Sequence, residues 1–126
     1  MPEVEYLRER AEEFYDNAKY NISRGFYNLA AFCIEQFMQL YLKYLLAKSI
    51  GYYPRTHSLS ELFKDAGRLC KELLSFYEKR ALEISSIEDA YISSRYLPRK
   101  FDKQVIEAMY KLAEEFKEVI KKCLQQ

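Results

Sequence analysis

Two short segments of the 126-residue chain carry the side chains that could do chemistry. Residues 52–57 are rich in tyrosine and end on His57, the one histidine of the chain. Residues 95–103 hold four cations and one anion, a local charge of +3 in a chain of net charge +1. Arginine and lysine bind phosphate groups, and the interleaved rings of Tyr96 and Phe101 can stack on bases. The pattern predicts a local site for an anionic ligand that carries a base.

The side chains predicted to bind this ligand come from both segments and are Arg55, His57, Arg95, Tyr96, Arg99 and Lys100. The first segment contributes only if the fold brings the two together. Each segment also has a structural interpretation. The first is typical of a proline-stiffened turn in which His57 or Ser58 caps the next helix, although free amides at that helix start could instead hold an anion. The second is typical of a basic surface loop.

The sequence gives no pattern for a cofactor or a metal site. The three glycines stand alone, so neither a phosphate-binding loop nor a dinucleotide fingerprint is present. The three cysteines are far apart, form no C-x-x-C pair, and are Cys33, Cys70 and Cys123. We expect reduced, buried thiols and therefore a cytoplasmic protein. The longest apolar run, residues 29–34, is too short to span a bilayer, so no membrane partner is expected.

Composition and periodicity predict one all-α domain over residues 1–126. Glycine and proline, three of each, are too few for a turn-rich β-protein. Apolar residues recur at helical spacing and predict an up-and-down bundle of four long or medium helices plus one short helix. The predicted helices cover residues 2–23, 26–49, 59–79, 87–93 and, after a cap at Asp102, a last stretch to near the C-terminus.

The second predicted helix is apolar on nearly all sides. From Phe26 to Ala47 only five residues are strongly polar, and two of them are Glu35 and Gln39. A helix of this kind is covered by several neighbours. We therefore expect it at the centre of the bundle and also as part of a dimer face.

Three stretches, in this order, resemble the HEPN family. Residues 26–43 are similar to its aromatic-rich helix, which has a Gln, a Glu three residues on and a Lys four beyond that. Residues 56–59, Thr-His-Ser-Leu, resemble its turn into the next helix, and Arg95-Tyr96 with a nearby proline resembles its Arg-Tyr-Pro segment. The resemblance implies a bundle of four to five helices, usually dimeric and often paired with a small nucleotidyltransferase. Many members are toxins or their partners, and some are metal-independent ribonucleases.

The catalytic members of the family carry an arginine followed after four to six residues by a histidine. In this chain no histidine follows Arg95, and Gln39 replaces the family's Glu. We therefore expect a non-catalytic or regulatory protein that binds a nucleotide or RNA, as a homodimer, beside a nucleotidyltransferase in a toxin–antitoxin-like system. One alternative is a ribonuclease with His57 as general base and Arg95 as oxyanion stabiliser. Another is a pure assembly module that uses the apolar second helix.

Overall fold

The computed structural model describes residues 2–97 and 100–126, with side chains from residue 4 onward. Pro98 and Arg99 therefore lie outside the described residues. The described part folds into six α-helices: α1 (Pro2–Ser23), α2 (Tyr27–Ile50), α3 (Leu59–Gly67), α4 (Lys71–Lys79), α5 (Ala81–Tyr96) and α6 (Lys103–Leu124). The predicted all-α bundle is confirmed. None of these helices is long and apolar enough to cross a membrane.

Helix α2 lies at the centre of the bundle, as its composition predicts. It packs against α1, α3, α5 and α6, and nearly every residue from Ala30 to Ala47 is buried. It ends at Gly51, whose φ of +74° is a left-handed conformation that glycine adopts without a steric cost. The chain itself covers most of the apolar residues of this helix, while Leu29 and Ile50 are each 56% exposed, so the expected dimer face stays a prediction.

The core is joined by aromatic rings from four helices. The ring of Phe37 on α2 lies 5.7 Å from that of Phe116 on α6, and Phe116 lies 5.7 Å from Phe63 on α3. Phe76 on α4 lies 6.3 Å from Phe116. All four rings are buried. Ring pairs at these separations add to the stabilisation from burial alone, so this cluster holds the short helices α3 and α4 against the long ones.

The helix predicted over residues 59–79 is two helices, so this prediction is wrong in its middle. The chain leaves α3 after Gly67, and Cys70 is extended, with φ −143°, before α4 begins. A Cβ atom on Gly67 would lie 3.0 Å from the Cβ atom of Leu74. The glycine therefore permits a sharp turn in which α4 folds back against the end of α3, a tertiary contact that helical periodicity does not reveal.

The predicted short helix at residues 87–93 is in fact the 16-residue α5. Serines inside it satisfy their hydroxyls on the preceding turn: Ser93 donates to the carbonyl of Asp89 at 3.0 Å, and Ser94 donates to that of Ala90. Serine is thus tolerated in the helix interior and does not end it. As a consequence Arg95 and Tyr96 belong to the last turn of α5 and not to a loop.

Two of the three cysteines form a disulfide, so the expectation of three reduced thiols is wrong. Cys70, just before α4, is bonded to Cys123 in the last turn of α6, 53 residues away in sequence. The packing of α4 against α6 brings them together. Cys33 is free and buried, and burial raises the pKa of its thiol, as expected for an inert cysteine. The cysteines thus no longer support the expected cytoplasmic location.

Candidate functional site

The start of α3 and the outer side of α5 form an open groove of about 610 Å³. We call it the His57 groove. Its lining residues come from the loop before α3 and from α5, and they are His57, Ser58, Glu88, Asp89, Tyr91, Ile92, Ser93 and Leu97. Tyr91 connects two residues that the sequence predicts to form a site, His57 and Arg95.

Tyr91 links the two predicted residues by ring contacts. The His57 and Tyr91 rings are stacked with centroids 4.4 Å apart. The Arg95 guanidinium carbon lies 4.2 Å from the Tyr91 ring centroid, and Arg95 Nε donates to the Tyr91 carbonyl at 2.9 Å. The same guanidinium lies over Tyr96 and Phe32, at 4.7 and 5.0 Å. Three rings and one hydrogen bond therefore hold the guanidinium against Tyr91, which lines the groove, although Arg95 itself is not among the lining residues.

Arg95 keeps its charge free for a ligand. Its side chain is exposed, and no carboxylate in the part of the chain that the structure describes forms an ion pair with it. Guanidinium groups bind phosphate by paired N–H donors, and aromatic faces favour a cation above them. A phosphate at Arg95 would therefore meet an oriented cation.

Behind His57 a ladder of buried polar side chains runs along α2. Gln39 Nε2 donates to Glu35 Oε2 at 2.8 Å, and Gln36 Nε2 donates to Glu35 Oε1 at 2.7 Å. Lys43 Nζ donates to Gln39 Oε1 at 3.0 Å, and His57 Nδ1 lies 3.3 Å from the same oxygen. We call the four side chains on α2, which are Glu35, Gln36, Gln39 and Lys43, the α2 ladder; Gln36 is half-buried, the other three are buried, and His57 itself is exposed. The ladder joins the core of the bundle to the wall of the groove.

The α2 ladder influences which nitrogen of His57 carries the proton. When Glu35 is ionised and Lys43 is protonated, the carboxylate only accepts and the ammonium only donates hydrogen bonds, so the Gln39 oxygen faces His57 and Nδ1 donates to it. In neutral His57 the other nitrogen, Nε2, is then an acceptor, and the hydroxyl of Tyr91, 3.2 Å away, is its partner within the chain.

Glu35 is fully buried, and burial raises its pKa to about 7. The nearby charge of Glu88 acts in the same direction as burial, hydrogen bonds from Gln36 and Gln39 and the charge of Lys43 act in the opposite direction, and the pKa of about 7 is the net result. Burial lowers the pKa of Lys43, and the charge of Glu35 opposes this. In the α2 ladder, burial thus favours the neutral form of both the Glu35 carboxyl and the Lys43 amine. Shifted pKa values of this kind are common at functional sites.

The start of α3 does not offer free amides to an anion. Glu88 of α5 accepts from the Ser60 backbone N–H at 3.0 Å and from the Ser58 hydroxyl at 3.2 Å. Ser58 in turn accepts from the Glu61 N–H at 3.2 Å and is the predicted N-cap. A carboxylate of the chain itself thus occupies this helix terminus, so the idea of an anion held there by free amides is wrong.

Two other predicted residues, Arg55 and Lys100, are not among the lining residues of the His57 groove. Arg55 lines a separate cavity of about 670 Å³ near Gly51 and the start of α1. Lys100 is exposed, and Arg99 lies outside the described residues. Phe101, which we expected to stack on bases, is buried, and its N–H donates to Asn28 Oδ1 at 3.1 Å. Of the predicted ring residues only Tyr96, 68% exposed, lies free beside Arg95.

Sequence reasoning missed three residues of the site: Tyr91, Glu35 and Glu88. Tyr91 is four residues before Arg95, the spacing of helical neighbours, but the predicted loop at Arg95 concealed the relation. Glu35 carried a signal, since a carboxylate inside a long apolar helix is rarely buried without a partner. Glu88 gave no signal in the sequence, because its hydrogen-bond partners, Ser60 and Ser58, are 28 and 30 residues away.

Fold and site together define a small all-α bundle protein with an open groove that is lined by His57, Tyr91 and two carboxylates, Glu88 and Asp89. Arg95 lies over Tyr91 beside this groove, and the α2 ladder lies behind His57. Comparison with known families agrees: the family model of the HEPN domain matches residues 4–123, and the chain belongs to the HEPN family. That membership indicates a function related to nucleotides or RNA. No curated protein matches the sequence.

Proposed function

We propose that this HEPN protein binds a nucleotide or a single-stranded RNA segment in the His57 groove without cleaving it. The observation that carries the proposal is the Arg95 guanidinium, which is exposed, is held over Tyr91 at 4.2 Å and forms no ion pair with a carboxylate among the described residues. The cation would bind a phosphate, and the exposed ring of Tyr96 would stack on the adjoining base. The groove, at about 610 Å³, has room for one nucleotide.

Binding is tested by fluorescence anisotropy with labelled single-stranded RNA and by calorimetry with ATP. A charge-assisted hydrogen bond contributes about 1.5 to 3 kcal/mol, so Arg95→Ala should weaken binding by roughly 10- to 100-fold. Arg10→Ala is the matched control, because Arg10 also lies over a tyrosine ring, Tyr6, at 4.5 Å, but on α1. Equal affinities of the wild type and Arg95→Ala, or equal losses in both variants, would show that the groove is not the binding site.

One observation favours a second candidate, a metal-independent ribonuclease. His57 and Arg95 both contact Tyr91, and His57 Nε2 lies 3.2 Å from the Tyr91 hydroxyl. In such an enzyme Nε2 would take the proton of a ribose 2′-hydroxyl and Arg95 would stabilise the charged phosphorane. The absence of the family's Arg-x(4–6)-His pair from the sequence argues against a ribonuclease. RNA that stays intact with the wild type in EDTA, or is cut equally by His57→Ala, would exclude this candidate.

The family also supports the proposal that the protein is a cytoplasmic homodimer with a nucleotidyltransferase partner, in a toxin–antitoxin-like system. Sedimentation equilibrium at tens of micromolar tests the dimer, and co-purification with a co-expressed small nucleotidyltransferase tests the partner. The assembly module based on α2 stays a prediction; most of that helix is buried within the chain, while Leu29 and Ile50 are each 56% exposed.

A further inference from the structure

On the side of the bundle where α4 begins and α6 ends, a second group of side chains could carry chemistry. Cys70, Glu72 and Cys123 each place a ligand atom within 4.8 Å of the other two. Cys70 immediately precedes α4, Glu72 is in its first turn, and Cys123 is in the last turn of α6. None of them lines the His57 groove. We call them the Cys70–Glu72–Cys123 cluster.

The position of Glu72 does not suit a disulfide. Its Oε2 atom lies 3.0 Å from Cys70 Sγ, although a sulfur in a disulfide carries no hydrogen to donate. The same oxygen accepts from Gln126 Nε2 at 2.9 Å. A carboxylate held against this sulfur gains an attractive partner only when the sulfur is a thiol or when both atoms bind one cation.

The carboxylate of Glu72 is held beside the two sulfurs, because Gln126 donates to the same oxygen that lies next to Cys70 Sγ. Two thiolates beside it would repel one another and the carboxylate, and a divalent cation removes this repulsion.

We propose that, after reduction of the disulfide, Cys70, Cys123 and Glu72 bind one Zn²⁺ ion through two thiolates and one carboxylate. Thiolate sulfur and carboxylate oxygen are ligands that Zn²⁺ accepts, and three protein ligands leave the fourth position to water. Two Zn–S bonds of about 2.3 Å set the sulfurs roughly 3.8 Å apart. The Cα atoms of the cysteines, 5.8 Å apart, allow this after side-chain rotation.

The two states interconvert by balanced steps. A dithiol reductant breaks the S–S bond, supplies two electrons and two protons, and leaves as its own disulfide. Zn²⁺ then binds the two sulfurs as their protons pass to solvent. Both states connect α4 to α6, so the protein would keep this connection under oxidising and reducing conditions alike.

The test uses Co²⁺ as a spectroscopic probe on the whole protein, reduced with a phosphine and then freed of reductant without air. Reduced protein should bind one Co²⁺ per chain and show sulfur-to-cobalt charge-transfer absorption, which Zn²⁺ then abolishes. Oxidised protein should show no such absorption. Absence of the thiolate absorption from reduced, still helical protein would overturn the proposal.

Variants separate the three-ligand site from two thiols acting alone. Glu72→Gln keeps both cysteines, forms the disulfide as the wild type does, and should weaken Co²⁺ binding by at least tenfold. The matched control is Glu78→Gln, an exposed glutamate on the same helix, α4, which should bind as the wild type. Cys33→Ser should also bind normally, because that thiol is apart from the cluster. Equal affinities of Glu72→Gln and Glu78→Gln would exclude Glu72 as a ligand and overturn the proposed site.

Discussion

Replacing Glu35 with glutamine tests the α2 ladder directly. Glu35 is fully buried and accepts hydrogen bonds from Gln36 and Gln39, and burial raises its pKa to about 7 from an ordinary value of 4.5. A glutamine of nearly the same shape keeps one acceptor oxygen but never ionises. The substitution therefore removes the titration and leaves most of the packing.

The sign of the effect follows from which state binds the proton more tightly. Because the pKa of Glu35 is higher in the folded than in the unfolded chain, the folded protein holds the proton more tightly between pH 4.5 and about 7. Its contribution to stability is fully present below pH 4.5 and is lost as the pH rises through about 7. The difference in pKa corresponds to about 3 kcal/mol in full, of which about 2 to 3 kcal/mol falls between about pH 5 and pH 8.5.

The measurement is urea denaturation of the wild type and Glu35→Gln at a series of pH values across this window. We expect the wild type to lose about 2 to 3 kcal/mol more unfolding free energy than the variant on going from low to high pH. Groups that are common to both proteins and do not interact with Glu35 cancel in the comparison. Glu9→Gln on α1 is the control, since Glu9 is exposed. A pH-independent difference between the wild type and Glu35→Gln would refute the reasoning.

Three further predictions concern the packing, a helix cap and the disulfide. Phe116→Ala should lower the unfolding free energy by about 3 to 5 kcal/mol in urea, because the ring is fully buried between three others. Asp102→Ala should cost about 1 kcal/mol in the same assay, since the carboxylate accepts from the Val105 N–H at 2.9 Å, and Asp102→Asn should retain most of the stability. Reduction of Cys70–Cys123 in the presence of EDTA should lower the unfolding free energy by about 4 kcal/mol, which is the loop-closure value for a separation of 53 residues. On reduction, the melting temperature of Cys33→Ser should fall by the same amount as that of the wild type.

The bounds of the three long helices were predictable, because they depend on residues that are close by in the sequence. The predicted first helix coincides with α1, the second is displaced by one residue from α2, and Asp102 caps α6 as expected. The break after Gly67 and the true length of α5 were not predictable in this way. The first depends on the packing of Leu74, and the second on serines that bond within the helix.

For the candidate site, sequence indicated the right residue types but not their neighbours. His57 and Arg95 were singled out from the chemistry of their side chains. Their common contact, Tyr91, became visible only once α5 extended to Tyr96, since that places Tyr91 one helical turn before Arg95. The disulfide was hidden for a related reason: only the packing of α4 on α6 brings its cysteines together.

The central place of α2 also determines where the molecule can open. Its backbone amides are covered by four other helices, so they exchange with solvent only when most of the bundle comes apart. Because the α2 ladder ties His57 to the interior of this helix, the inner wall of the groove shares its slow exchange. The outer wall, with Tyr91 and Arg95 near the end of α5, is less covered and can open in a smaller, local fluctuation. A ligand that enters the groove would therefore meet one side that is already in place and one side that adjusts to it.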